Sequence, residues 1–249
     1  MELIRSKLIS APHAFPTRDG GVSKGAFSSL NTSLAVGDDP HDVAENLSRL
    51  ARSFGLESSV LCTPHQVHGV TVLEATGQGA LGDADAVFTA TPGLLVGVRT
   101  ADCLPILIED PRSGMVAAVH AGWRGVIGEI VVRAIERLEA RGSSRAELRV
   151  ALGPAIQACC FEVDGDLPAK FSAAFGEGVV RPQPGKTRVH LDLGWAVARS
   201  LERAGVPSSH VDVLPHCTRC DQRFFSHRRD QGVTGRQLSL IQCVRGTAM

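Results

Sequence analysis

The sequence predicts an α+β fold, with mixed β-sheets flanked by helices. Apolar, β-branched segments outnumber the segments with helical periodicity. Two of these segments, at 105–109 and 115–119, flank DPRSG, a turn-forming sequence that predicts a β-hairpin. Because strands do not alternate regularly with helices, mixed sheets fit better than a βαβ array. No repeat or convincing linker interrupts the chain, so we expect one domain over residues 1–249.

The N-terminal half is predicted to contain a long loop, one helix and several strands. Residues 15–40 are dense in Gly, Ser, Thr, Asn and Asp, which is typical of ordered loops that often carry function. Apolar residues then recur at helical spacing from about Pro40 to Phe54. The strand-like segments that follow are SVLCTPHQV (59–67), GVTVLEA (69–75), DAVFTA (85–90) and LLVGVRT (94–100).

After the hairpin, the C-terminal half is predicted to mix helices with strands. VIGEIVVRAIERLEARG (126–142) carries an apolar stripe at helical spacing and ends at a glycine, which predicts the clearest helix of the chain. Further helices are predicted at 168–176 and at 192–206, the latter with Asp192 as its N-cap. Strands are predicted at 148–153, 210–215 and 237–244, and a surface loop at 181–188.

Composition excludes several classes of partner. Lys plus Arg and Asp plus Glu both number 26, so the chain lacks the basic excess that a sequence-independent nucleic-acid binder needs. Tyrosine is absent and aromatic residues make up 4%, which argues against stacking on single-stranded nucleic acid. A neutral chain also gives no reason to expect an anionic membrane as partner. We expect neither nucleic acid nor membrane among its partners.

The N-terminal sequence and the cysteines favour the cytoplasm. Charged residues interrupt the first fifteen positions, and no segment approaches the roughly 20 apolar residues of a membrane span. The odd number of cysteines, seven, is better explained by reduced thiols than by a disulfide framework.

Three residues from separate segments form a candidate catalytic metal site: His68, Cys103 and His120. A hairpin turn centred between Pro111 and Arg112 places Cys103 opposite His120, where Cβ atoms lie roughly 5 Å apart. A thiolate and an imidazole at that separation can share a zinc ion, and His68 completes the set. Three protein ligands leave one coordination position open, which is the catalytic arrangement.

Other interpretations of these residues stay open. A histidine beside a strand is usually a surface or core residue, and a buried cysteine is usually a small hydrophobe. A slip of one residue in the hairpin would send Cys103 and His120 to opposite faces. A Cys–His pair without metal is also a nucleophile–base dyad, so a cysteine hydrolase competes with the metal enzyme.

Further candidates lie near these ligands and in a C-terminal loop. Arg124, at the start of the predicted helix in HAGWRG, is placed to clamp phosphate near the free N–H groups of the first turn. Asp102 precedes Cys103 and would face the other way in a continuing strand, as a general base or an orienting group. The basic loop 223–237 contains Ser226 and Arg228 and is suited to grip an anion, although such charge runs are usually solvated.

Other motifs give weaker indications. Cys217 and Cys220 form a CxxC pair, but the sequence has no second CxxC and no thioredoxin-like unit around it, so we do not expect a structural zinc site there. The dipeptide Cys159–Cys160 is a weaker indication still. The chain contains neither a GxGxxG fingerprint after a strand nor a GxxxxGK[ST] loop, which leaves nicotinamide and ATP chemistry unsupported.

The motifs in their order along the chain resemble those of the YfiH, or laccase-domain, family. They are FPTRDGGVS, LNTSLAVGDDP with Asn46, HQVHG, DADAVFT, TADCLPILI, AAVHAGWRG, ALGPAIQACCFEV and CT…FFSHRRD…GRQ…LI. The resemblance runs from Phe15 to about Ile241, and HQVHG, TADC and HAGWRG are its most specific parts. This family also carries the labels polyphenol oxidase, peptidoglycan editing factor and purine nucleoside phosphorylase.

The resemblance implies a fold, a metal and a reaction. It implies a single α+β domain with zinc at His68, Cys103 and His120, where copper is the alternative metal. It implies phosphorolysis of adenosine, inosine, guanosine and methylthioadenosine, and deamination of adenosine, with purine nucleosides and phosphate as ligands. For phosphate or developing charge the candidates are Arg18, Arg124 and Arg228, and for orienting the substrate they are Asp102, Gln66 and Ser226.

Two departures and three alternatives accompany the resemblance. Cys220 does not belong to the family motif, and Phe161 precedes Glu162 where a tyrosine is common, so a tyrosine hydroxyl can play no role there. The alternatives are a Cys103/His120 hydrolase acting in peptidoglycan editing, a copper polyphenol oxidase and a non-enzymatic binding protein. A laccase needs several coppers with many histidine ligands, whereas this chain has nine scattered histidines.

Overall fold

The elements of the fold surround one loop-rich end, where the candidate ligands meet. The computed structural model describes residues 1–79, 81–182 and 188–246. Within these ranges the strands are β1 (Leu3–Ile4), β2 (His13–Pro16), β3 (Leu61–Cys62), β4 (Val72–Glu74), β5 (Ala86–Thr89), β6 (Leu95–Thr100), β7 (Leu104–Glu109), β8 (Val116–Ala121), β9 (Arg149–Leu152), β10 (Glu162–Val163), β11 (Val180–Arg181), β12 (Val189–Leu191), β13 (Val211–Val213) and β14 (Gln237–Gln242). The helices are α1 (Pro40–Arg52), α2 (Trp123–Ile127), α3 (Ile130–Glu139), α4 (Leu167–Phe175) and α5 (Leu193–Arg203).

The strands form three sheets. One has six strands in the order β13-β9-β7-β8-β5-β4, a second has five in the order β1-β2-β14-β6-β3, and a small third has the order β10-β12-β11. The two larger sheets are mixed, because β13 pairs with β9, β4 with β5 and β3 with β6 in parallel while their other pairs are antiparallel. The predicted α+β class with mixed sheets is confirmed.

The six-stranded sheet is buried on both faces. In β7, Ile106 and Ile108 pack in the core shared with α3 and α5, whereas Leu107 packs toward Val96 and Val98 of the five-stranded sheet. Since side chains alternate between faces, a strand covered on both sides is apolar throughout. This explains the uninterrupted apolar runs on either side of the hairpin turn. The outer face of the five-stranded sheet packs against α1 through Leu50.

Most predicted elements are present with shifted ends. The helices at 40–54, 168–176 and 192–206 are confirmed as α1, α4 and α5, and the side chain of Asp192 accepts the N–H of Trp195 as the predicted N-cap. The predicted strand 59–67 is reduced to the two residues of β3, because Pro64 and the loop around His65 leave the sheet. The strands β1, β2, β10, β11 and β12 were not predicted, and all are at most four residues long. Of the loop predicted at 181–188, residues 183–187 lie outside the described ranges.

Two predictions about the central segment are wrong in detail. In the hairpin, His120 pairs with Pro105 rather than with Cys103, a shift of two residues from the predicted register. The shift of two preserves the face on which side chains lie, so Cys103 and His120 still share one. The predicted helix 126–142 is two helices, because Gly128 ends α2 and Glu129 adopts a left-handed conformation with φ 55°.

No helix among the described residues combines the length and the apolar character that a membrane crossing requires.

Candidate functional site

The three predicted metal ligands converge at the end of the hairpin. His68 lies in the loop before β4, Cys103 directly before β7, and His120 near the end of β8. One ligand atom of each lies within 4.8 Å of those of the other two. The His68 and His120 rings meet edge to face, with centroids 4.9 Å apart. Two imidazoles and a thiolate are donors that suit zinc, and three of them leave a coordination position open.

A buried carboxylate holds both histidines. Asp85 is fully buried, and its Oδ1 lies 2.7 Å from Nδ1 of His120. The same carboxylate accepts the backbone N–H groups of Val67, His68 and Gly69 at 3.3, 3.0 and 2.5 Å. With Nδ1 held by Asp85, His120 turns Nε2 toward Cys103. Fixing a ligand histidine through its second nitrogen is a regular feature of zinc sites.

The loop that carries His68 is held in a strained conformation. His68 has φ 59°, a left-handed geometry that is uncommon outside glycine. Such residues cost about 1–3 kcal/mol and persist where surrounding contacts determine the geometry. Here the three N–H groups that Asp85 accepts supply those contacts.

The ionisation of the site favours a thiolate. Burial alone raises the pKa of the Cys103 thiol, but hydrogen bonds with His120 and His68 outweigh burial and lower that pKa. Burial alone lowers the pKa of His120, but hydrogen bonds with Asp85 and Cys103 outweigh it and raise that pKa. Cys103 is therefore prepared as a thiolate, the form that binds metals and attacks electrophiles.

Gly122 leaves room for the ligand cluster. A Cβ atom added at this glycine would lie 3.2 Å from Cδ2 of His68 and 3.4 Å from Sγ of Cys103. Gly122 has φ −71° and ψ 170°, which other residues also adopt. The third position of HAGWRG, Gly122, therefore needs glycine for space rather than for backbone conformation.

The ligands lie in the wall of a cavity of about 740 Å³, a size typical of small-molecule sites. The cationic and imidazole side chains that line it are Arg99, Arg228, Arg236, His65, His68, His120 and His227. Asp102 is the one carboxylate among its lining residues, all of which lie in the described part of the chain. The apolar side chains include Leu34, Val43, Leu47, Trp123, Ile156, Phe161 and Leu193. The cavity thus combines an apolar surface with an excess of positive charge.

Asp102 does not continue a strand as predicted. Its φ of 90° turns the backbone, and its buried carboxylate accepts the hydroxyl of Thr218 and the backbone N–H of Arg228, both at 2.6 Å. Asp102 therefore ties the C-terminal loop to the residue next to Cys103. This contact places Arg228 at the cavity, where its guanidinium donates to the backbone oxygen of Glu162.

Of the other predicted residues, Gln66 lines the cavity and three do not. Gln66 exchanges two hydrogen bonds of 2.8 Å with the backbone of Arg99, which fixes the loop that carries His68. Arg18 bonds to the backbone oxygen of Ser28 and stacks on Phe225. Ser226 is fully buried and accepts the N–H of Arg229, and Arg124 is exposed and stacks on Trp123. These three side chains are not among those that line the cavity, and a role for any of them in binding stays a prediction.

Sequence reasoning missed two residues of the site. Asp85, in the motif DADAVFT, receives no role from the sequence, although pairing DAVFT with the end of the hairpin would have indicated one. Continuing the β5–β8 register past Ala86 places Asp85 beside His120, and His120 N–H donates to the Asp85 backbone oxygen at 2.7 Å. Arg99 stands in an apolar strand, and its buried guanidinium donates to the Thr32 backbone oxygen and the Thr63 hydroxyl. Burial lowers its pKa to about 10.

Comparison with known proteins identifies relatives over almost the whole chain. The model of a family described as multi-copper polyphenol oxidoreductase laccase matches residues 12–244. A protein named purine nucleoside phosphorylase, from Deinococcus radiodurans, is 41% identical over 242 residues, which cover 97% of this chain and 92% of that protein. A protein named adenosine deaminase, from an unknown prokaryotic organism, is 35% identical over 239 residues, covering 90% of this chain and 91% of that protein.

Solved structures show the same fold. The crystal structure of YlmD from Geobacillus stearothermophilus superimposes with a TM-score of 0.90 at 35% identity, covering 96% of this chain and 94% of that one. The structure of the Bacillus licheniformis hypothetical protein YfiH gives a TM-score of 0.87 at 31% identity, covering 92% and 91% of the two chains. With matching motifs, fold and near-complete coverage, this chain belongs to the laccase-like YfiH family.

Proposed function

We propose that this protein is a zinc-dependent purine nucleoside phosphorylase that also deaminates adenosine. The observation that carries the proposal is the convergence of His68, Cys103 and His120 at a cavity rich in arginine. The names of the relatives from Deinococcus radiodurans and from the unknown prokaryote agree with the two activities. The substrates we propose are adenosine, inosine, guanosine and methylthioadenosine, together with phosphate.

The lining of the cavity suits a nucleoside and an anion. Phosphorolysis forms a bond between a phosphate oxygen and C1′ of ribose and breaks the bond from C1′ to the purine, which leaves with the electron pair and takes up a proton. Arg236 and Arg228 supply charge for the phosphate. Phe161 and Leu47 offer an apolar surface to the purine and exclude water from the reacting atoms.

The donor set supports zinc at His68, Cys103 and His120. A zinc ion held there supplies Lewis-acid chemistry for either reaction. Asp85 holds Nδ1 of His120, and Gly122 keeps the space around the thiolate free. We propose Asp102 as a positioning residue, because its carboxylate is occupied by Thr218 and Arg228.

Zinc is preferred to copper because of the number and kind of donors. Among the described residues, the groups of three or more His, Cys, Asp or Glu side chains able to share an ion are this site and a cluster of four cysteines. Neither offers the many histidines that several coppers need. The proposal therefore departs from the oxidase chemistry in the description of the family.

The experiment that tests the proposal is a product assay. Purified protein is incubated with adenosine, with and without phosphate, and adenine, inosine, hypoxanthine and ribose 1-phosphate are separated by chromatography. We expect phosphate-dependent adenine and phosphate-independent inosine, both abolished in Cys103→Ala and retained in Cys62→Ala, which removes a buried thiol elsewhere. Full activity of a metal-free Cys103→Ala protein would overturn the proposal.

A second function has its own supporting observation. Asp85, His120 and Cys103 form a carboxylate–imidazole–thiol chain, the arrangement of a cysteine hydrolase. Such an enzyme keeps its activity in a chelator and loses it to a thiol alkylator. The zinc enzyme loses activity in the chelator and regains it when zinc is restored. Hydrolysis of peptidoglycan precursors that resists chelation would favour the hydrolase.

A further inference from the structure

The structure contains a second cluster of metal-binding side chains, outside the cavity described above. The sulfur atoms of Cys159, Cys160, Cys217 and Cys220 all lie within 4.8 Å of one another. The first two are adjacent in the loop before β10, and the last two form the CxxC pair near the C-terminus. The sequence offers little indication of a zinc site at this CxxC because it has no second CxxC, yet the fold brings two further cysteines to it. Its partner is a CC dipeptide, which no zinc-motif spacing would have suggested.

The sulfur separations fit one tetrahedral ion. With Zn–S bonds of about 2.3 Å, the edges of a regular ZnS₄ tetrahedron are about 3.8 Å. The separations from Cys159 to Cys160 and to Cys220 are 3.7 and 3.8 Å, and that from Cys160 to Cys220 is 3.2 Å. A disulfide would bring two sulfurs to about 2.05 Å. The sulfur of Cys217 also lies within 4.8 Å of the other three, so small shifts of the side chains would bring all four into contact with one cation.

The surroundings of the four sulfurs suit a bound cation. Cys217 accepts the backbone N–H of Gln157 at 3.5 Å, and the guanidinium of Arg219 lies 3.5 Å from the sulfur of Cys160. Four thiolates within 4.8 Å of one another would repel each other. A divalent cation would offset that repulsion, since thiolate is the form that coordinates metal.

We propose that these four cysteines form a structural zinc site, Cys₄ in composition and closed to substrate. Four protein ligands complete a tetrahedral shell, in contrast to the three at His68, Cys103 and His120. The ion takes part in no reaction and no electron transfer. It acts by cross-linking the loop that contains Cys159 and Cys160 to the loop that contains Cys217 and Cys220.

The position of the cluster gives this cross-link a role. Ala155 pairs with Cys217 in an isolated bridge, and Thr218 donates its backbone N–H to Ala155 and its hydroxyl to Asp102. The loop that contains Cys159 and Cys160 also supplies Phe161 to the cavity wall. An ion bound by both loops would fix that wall without contacting the substrate.

The test counts metal in variants of the whole protein, purified under reducing conditions and analysed by mass spectrometry for zinc and for intact mass. Cys159→Ser/Cys220→Ser alters the two exposed members of the cluster, so it disturbs the packing least. The same pair of substitutions is also introduced into the Cys103→Ala protein. The zinc content of Cys103→Ala with and without the pair then reports on the second site, whether or not the first site binds zinc. We expect the pair to remove one zinc equivalent in both backgrounds and to lower Tm by about 5 °C or more. The control Cys62→Ala is expected to keep the full zinc content.

A second measurement needs no variant. Cys159 and Cys220 are exposed, so their sulfurs are accessible to iodoacetamide once no metal holds them, and mildly alkaline buffer supplies the reactive thiolate. We expect peptide mapping to find them protected in the zinc-loaded protein and alkylated after chelation. Rapid alkylation of both in protein that retains zinc, or an intact mass two or four hydrogens below that of the thiol form, would overturn the proposal. So would a zinc content that the two serine substitutions leave unchanged.

Discussion

Asp85→Asn tests whether the buried carboxylate organises the metal site. Asparagine has the same shape, but it replaces one acceptor oxygen with an N–H₂ donor. Oδ1 of Asp85 contacts the N–H of His68 and Nδ1 of His120, and Oδ2 accepts the N–H of Gly69 at 2.5 Å. In either orientation of the asparagine amide, its N–H₂ group would therefore face a group that now donates to Asp85. Hydrogen bonds to a charged group are worth roughly 1.5–3 kcal/mol, so losing two destabilises the protein by about 3–6 kcal/mol. Loss of such a supporting contact also weakens metal binding by about 10–100-fold.

The assay for Asp85→Asn measures both quantities. Zinc affinity is determined by competition with a chromophoric chelator, and the free energy of unfolding by urea titration of the zinc-free protein. Asp83→Asn is the matched control, because the Asp83 side chain is 72% exposed and its carboxylate pairs with the exposed side chain of His65. Asp83→Asn should leave both quantities unchanged. A folded Asp85→Asn protein that binds zinc as tightly as wild type would refute the role given to this carboxylate.

Three further predictions concern space, charge and protonation. Gly122→Ala places a Cβ 3.2 Å from the ring of His68, and we expect zinc affinity to fall about tenfold without unfolding, measured by chelator competition. Arg236→Gln removes a cation from the cavity, and we expect the KM for phosphate to rise about 10–100-fold with a smaller change for the nucleoside, measured by steady-state kinetics. His13 is buried, accepts the N–H of Ser6 and has a pKa held below its ordinary 6.5, chiefly by desolvation. His13 therefore binds a proton more readily in the unfolded chain than in the folded protein. The stability that neutral His13 contributes is complete above pH 6.5 and is lost as the pH falls below that value. Urea unfolding of the wild type at about pH 7.5 and at about pH 5.5 measures this loss of stability, and we expect the loss assigned to His13 to be absent from His13→Gln.

Each of these predictions has a control of the same chemical type. Gly194→Ala adds a Cβ whose nearest contacts are at ordinary distances of 3.6 and 3.8 Å, so zinc affinity should not change. Arg133→Gln removes an exposed arginine of α3 and should leave the KM for phosphate unaltered. His41→Gln replaces an exposed histidine of α1 and should retain the pH dependence of wild type. An equal effect of a control and its partner variant would contradict the explanation given for that partner.

The meeting of Cys103 and His120 was predictable from sequence because it depends on a hairpin. The turn DPRSG and the apolar runs beside it fix an antiparallel pair, and a register error of two residues leaves Cys103 and His120 on one face. An error of one residue would have separated them. The long helices were predictable for a similar reason, since their apolar stripes repeat over several turns.

The parts that sequence reasoning missed depend on contacts between distant segments. Arg18 and Ser226 have the polar character of binding residues, but Arg18 stacks on Phe225, Ser226 accepts the N–H of Arg229, and neither lines the cavity. The missed strands β1, β2, β10, β11 and β12 lie in segments with too little apolar periodicity to predict, and their pairing is set by the sheets they join. The four-cysteine cluster escaped prediction because it joins loops about sixty residues apart in sequence, Cys160 to Cys220.

The two cysteine-containing clusters differ in a way that matches different tasks. His68 is exposed at a cavity and Cys103 is half-buried, so an ion at the first cluster would be open to small molecules on one side. In the second cluster four sulfurs face one another and fill the shell of one ion, which leaves no position for a substrate. Thr218 follows Cys217 directly and bonds to Asp102, which in turn precedes Cys103. Because this chain of covalent and hydrogen bonds connects the clusters, an ion at the second would restrict the motion of the loop that delivers Arg228 to the first. The chemistry and the rigidity of the site would then come from two separate ions.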